Sequence, residues 1–172
     1  IRDTSVTGVQ TCALPICILC TKYEIMQNIL EENYNKFFEY FDTIKYVSPE
    51  EDYDGFCKIN KENDKRRALS MFYLNLYCIG ALPIDKIEAL LVHIMNKLLE
   101  SMTQRNKTAS VEEYTENIAI LYKHDIEYND TILLSNNMNI KDTILFLAGT
   151  KSCDYLSLTS KCVFKFMDIC EM

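Results

Sequence analysis

Three groups of residues carry side chains with chemistry to offer. Cys17-Ile18-Leu19-Cys20 has the C-x-x-C spacing of a thiol site or of half a zinc set. His93 and His124 are the two histidines of the chain, and Cys78 with His93 would be the pair for a Cys–His hydrolase. Lys65-Arg66-Arg67 sets three cations in a row, the charge that displaces counterions from RNA phosphate. The first two groups are incomplete. No second C-x-x-C and no paired-histidine motif completes a zinc set, and no glycine-rich phosphate loop is present. The sequence therefore assigns no catalytic, cofactor-binding or metal-ligating residue. A small helical thiol or metal enzyme is the last of three functional readings.

Cys17 also adjoins a segment that does not read as protein. Val6 to Ile16 back-translates into a common short-read sequencing adapter, Ile1-Arg2-Asp3 fits the part upstream of the adapter's index, and Thr4-Ser5 fill the index. Residues 1–16 are accordingly expected to be translated adapter, Cys12 with them, and the natural start to be missing. A secretion signal is not expected. Its apolar run of roughly 7–15 residues would have to be uninterrupted, and Thr7, Gly8, Gln10, Thr11 and Pro15 break this one.

Residues 17–172 have the length of one domain. A content of 48% hydrophobic and 25% charged residues is that of a globular chain, not a disordered one. Four glycines and three prolines in 172 residues leave few chain breakers, which favours helices joined by short turns. No run of 18 apolar residues occurs, so no membrane span is expected. The net charge of −7 argues against broad nonspecific binding to nucleic acid. Cys57, Cys78, Cys153, Cys162 and Cys170 are irregularly spaced among apolar neighbours, and are expected to be reduced and to pack as small buried hydrophobes. Reduced thiols imply cytosol or nucleus, and the cytoplasm is the expected location.

The elements that must position these residues read as helices. A first helix is expected over residues 23–46, with Met26, Ile29, Leu30, Tyr34, Phe37, Phe38 and Phe41 on one stripe. Ser48 and Glu51 form a capping box, with Pro49 at the first helical position, for a short acidic helix. Residues 61–64 read as loop. Leu69, Phe72, Tyr73 and Leu76 give the next helix, 65–79, one buried face, while Met71, Leu74 and Cys78 give it a second. Gly80 and Pro83 mark the turn into a helix over 84–102. Ser110 and Glu113 form another capping box, before the face Val111, Tyr114, Ile118 and Leu121. Shorter helices are expected at 130–135 and 140–148, and a last one over 158–171. Helices apolar on two sides need more than one neighbour, so the expected fold is all-α, an α-solenoid of stacked antiparallel helix pairs.

Three segments, in order, resemble the middle domain of eukaryotic translation initiation factor 4G. In KRRALSMFYLNLYCIGALPIDKI (65–87), Phe72, Leu76, Tyr77 and Leu82 fit the family's pattern of basic residues, an F-I-G-E-L-[FY] helix and a Leu-rich turn. ASVEEYTENIAILYK (109–123) is similar to the acidic start and Leu-rich body of the helix after the family's long loop. LTSKCVFKFMDICE (158–171) places Ser160, Lys161, Phe164, Asp168, Ile169 and Glu171 in register with L-S-S-R-I-R-F-M-x-x-D-[VI]-I-E. Leu74 and Asn75 replace the small residue and glutamate of the first motif, and Val163 replaces a basic residue of the third. The resemblance covers residues 65–172 and implies HEAT-type helix pairs, incomplete at both ends. Abundant Asn, Lys, Ile and Tyr are what AT-rich coding produces, and a diverged giant-virus or protist copy is the expected source.

By that resemblance the leading reading is a noncatalytic translation initiation scaffold. Its partners would be a DEAD-box RNA helicase of the factor 4A type, RNA and other initiation factors, with no membrane and no small-molecule substrate. Lys65, Arg66, Arg67, Lys161, Asp168 and Glu171 are the candidate contacts for RNA or partner. The second reading keeps the fold but places it in splicing, mRNA decay or poly(A)-binding-protein regulation. Glu50-Glu51-Asp52-Asp54 faces a basic partner or is solvated, and Glu112, Glu113 and Glu116 read as first-turn acids favoured by the helix dipole. His93 reads as a satisfied, partly buried histidine, and His124 as a cation at a helix end.

Overall fold

A computed structural model describes residues 15, 16, 18, 19 and 23–171. The expectations for residues 1–14 and for the Cys17/Cys20 pair lie outside the described residues. Six α-helices occupy residues 23–171: α1 (Glu24–Phe37), α2 (Tyr53–Cys78), α3 (Ile84–Met102), α4 (Thr108–Leu121), α5 (Ile140–Gly149) and α6 (Ser160–Glu171). Short 3-10 turns follow α1 at Phe38–Phe41 and α5 at Ser152–Asp154. There is no strand among the described residues, and the chain is all-α. None of its described helices is long and apolar enough to cross a membrane.

The longest helix departs most from the sequence expectation. Instead of a short acidic helix, a loop over 61–64 and a new start at 65, one helix of 26 residues runs through. Its N-cap is Asp52, whose carboxylate accepts a hydrogen bond from the Gly55 amide at 2.8 Å. Ser48 instead closes the preceding turn, its carbonyl accepting from the Glu51 and Asp52 amides. A β-carbon at Gly55 would lie 2.2 Å from the Asp52 carboxylate, so a larger residue there would make the Asp52 side chain shift. Residues 61–64 are polar because the first half of α2 faces solvent; no residue of the helix before Arg66 is buried. Polarity without Gly or Pro does not stop a helix.

The other boundaries shift for local reasons. The first helix ends at Phe37 and tightens into the 3-10 turn, short of the expected 46. α4 starts at Thr108, which puts Ser110 and Glu113 inside the helix, buried, and not in a capping box. Residues 130–135 are turns, not helix: the Asn129 side chain accepts from the Thr131 amide and hydroxyl, a local bond that competes with helix formation.

α4 lies at the centre, packed against α2, α3 and α6, while α5 packs on α6. The core is built from Ile87, Leu91, Ile94 and Leu98 of α3, Val111, Ile118 and Leu121 of α4, and Phe166 of α6, all without exposed surface. Full burial of one such side chain stabilises by about 1.5–3 kcal/mol. An aromatic cluster fastens α1 to this frame. Phe37 meets Phe41 at 5.1 Å and Tyr73 at 5.3 Å between ring centres. The Tyr34 hydroxyl donates to the Lys86 carbonyl at 2.7 Å, and the Tyr114 hydroxyl to the Phe41 carbonyl at 3.0 Å. Burial pushes the Tyr73 phenol up to about 12.

The segment before α6 clamps the α3–α4 connection. Ser157 donates through its amide to the Met102 carbonyl (3.1 Å) and through its hydroxyl to the Gln104 carbonyl (2.6 Å). Its hydroxyl also accepts from the Lys107 amide at 3.0 Å. Gly80, at φ +73°, makes the turn from α2 to α3 in a conformation that a side chain resists.

Candidate interaction surface

The basic triplet divides three ways. Lys65 is exposed; its ammonium sits 4.9 Å above the Tyr40 ring and donates to the Tyr40 hydroxyl at 3.2 Å. Arg66 is 4% exposed and turned inward. Its Nε donates to the Tyr40 carbonyl (2.9 Å), its Nη1 to Asn63 Oδ1 (2.5 Å), and Nη1 lies 3.5 Å from Glu113 Oε1. Arg67 is half-buried and grips Glu113 Oε2 through Nε (3.1 Å) and Nη2 (2.5 Å). The expectation that Arg66 meets RNA or a partner is therefore corrected. Its guanidinium is an internal strut between α2, the 3-10 turn and α4, almost wholly out of solvent.

Glu113 is the residue that sequence reasoning missed. It is 2% exposed, not a solvated first-turn acid, and it joins both arginines. Its Oε1 accepts from Asn117 Nδ2 at 2.9 Å, and Asn117 Oδ1 accepts from the Ser70 hydroxyl at 2.8 Å. The chain Arg66/Arg67–Glu113–Asn117–Ser70 thus crosses the α2–α4 contact with its carboxylate paired, as a buried charge requires.

The remaining candidates lie on α6. Lys161, Asp168 and Glu171 are all exposed. The Lys161 ammonium stands 3.3 Å from Glu112 and 3.8 Å from Glu116 on α4, and Lys165 stands 3.2 Å from Glu116. Phe164 and Met167 are exposed on the same side of α6. The structure therefore places Lys65 and Arg67 on α2, and Lys161, Asp168 and Glu171 on α6, with α4 packed between those two helices.

The thiols divide as well. Cys162 is buried and Cys57 and Cys170 are half-buried, but Cys78 and Cys153 are exposed, against the expectation of a buried role. Cys78 is the last residue of α2 and Cys153 sits in a 3-10 turn, where no second layer covers them. Burial pushes the Cys170 thiol up. Among the described residues no three His, Cys, Asp or Glu side chains converge as a metal site.

His93 lines an open cleft of about 720 Å³, with Asn96, Glu100, Phe146 and Tyr155 among its walls. Its ring meets Phe38 edge-on at 5.0 Å, and its Nε2 is buried without a hydrogen-bond partner, so the histidine expected to be satisfied is only half so. Burial lowers its pKa and Lys97 adds to this, against Asp42 and the backbone of Phe38. The neutral ring is thus the form that the fold accepts. Stability is fully present above the unfolded-state value of 6.5, and it declines as pH falls below that value toward the depressed folded one. Thermal unfolding followed between about pH 7 and about pH 5 should show this decline, and a shallower one in His93→Phe.

No protein-family model, no curated protein and no solved structure matches the chain.

Proposed function

We propose that the chain is a noncatalytic scaffold of the translation initiation type, acting in the cytoplasm, which binds a DEAD-box helicase of the factor 4A type and RNA. The observation that carries this reading is the placement of the three motif segments. Residues 65–87 fall on α2 and its turn into α3, 109–123 on α4, and 158–171 on α6, and α4 packs between α2 and α6. Contacts from each of these helices to the next but one, with α3 laid against α2 and α4, support a stack of helix pairs. The connections 79–83 and 103–107 are short, which favours antiparallel neighbours.

In this reading the buried Arg66–Glu113 strut and the Ser157 clamp hold neighbouring layers in fixed register. A rigid platform that prefers one arrangement of the helicase's two lobes shifts their equilibrium toward it. Exposed Lys65 and half-buried Arg67 supply charge for RNA phosphate; Lys161, Asp168 and Glu171 supply the partner contacts. The test is a pull-down with recombinant helicase of the factor 4A type, coupled to its ATPase rate. Binding with a concentration-dependent rise in the helicase's turnover is expected. Binding without stimulation would favour the splicing, decay or poly(A)-binding-protein role, and failure to bind would overturn the proposal.

A further inference from the structure

We draw no further inference here: the strongest candidate, the open cleft lined by His93 and Asn96 of α3 and Phe146 of α5, carries none, because the unpartnered His93 Nε2 is itself buried and nothing in the structure shows what fills the cleft.

Discussion

Replacing Glu113 by alanine should lower the unfolding free energy by about 3–5 kcal/mol, the range for removing one partner of a buried ion pair. The carboxylate is 2% exposed and is shared by Arg66 and Arg67. Without it the Arg66 guanidinium keeps only neutral acceptors, the Tyr40 carbonyl and Asn63 Oδ1, while remaining out of water. Asn117 loses the acceptor for its amide at the same stroke, keeping only the Glu113 backbone carbonyl. Arg67→Ala should cost much less, because that side chain is 39% exposed and its charge is partly solvated already. Urea unfolding of both variants checks the order. Equal and small losses would mean that the network is solvated and does not hold α2 to α4.

Phe37→Ala should have an effect of the same size, about 3–5 kcal/mol, through a different cause. The ring has no exposed surface and touches Tyr40, Phe41 and Tyr73. Truncation removes both the transfer energy and the edge-to-face contacts, and leaves a hole where α1 meets the frame. Phe37→Leu keeps most of the volume and should cost less than half as much. Hydrogen exchange should locate the loss: amides of α1 lose protection first, while those of α3 keep it. Uniform loss across both helices would contradict a separable α1 contact.

How far residues reveal structure depends here on which faces are wet. α3 runs from Ile84 to Met102, as its apolar spacing predicts, because one clean stripe lies between Pro83 and a polar loop. The first half of α2 escaped since a helix in solvent needs no apolar period, and residues 61–64 look like loop when composition alone is weighed. The Arg66–Glu113 pair escaped for a related reason. A run of cations suggests surface, and the partner lies 47 positions away. One signal was present: Arg66 sits three residues before Leu69 and seven before Tyr73, on the helix face that becomes buried. Glu113 likewise stands between Val111 and Tyr114 on a helix with little exposed side. The candidates on α6 did prove exposed, since Lys161, Asp168 and Glu171 alternate with Cys162, Phe166 and Ile169 at helical spacing.

The scaffold reading makes its most direct claim about a partner's shape. Fluorophores on the two lobes of a factor 4A-type helicase would report their separation by single-molecule energy transfer. Adding this chain should shift the lobes from a broad distribution to one dominant separation, with nucleotide and RNA held constant. An unchanged distribution at saturating chain would contradict the account, since a platform without differential affinity for one lobe arrangement shifts nothing.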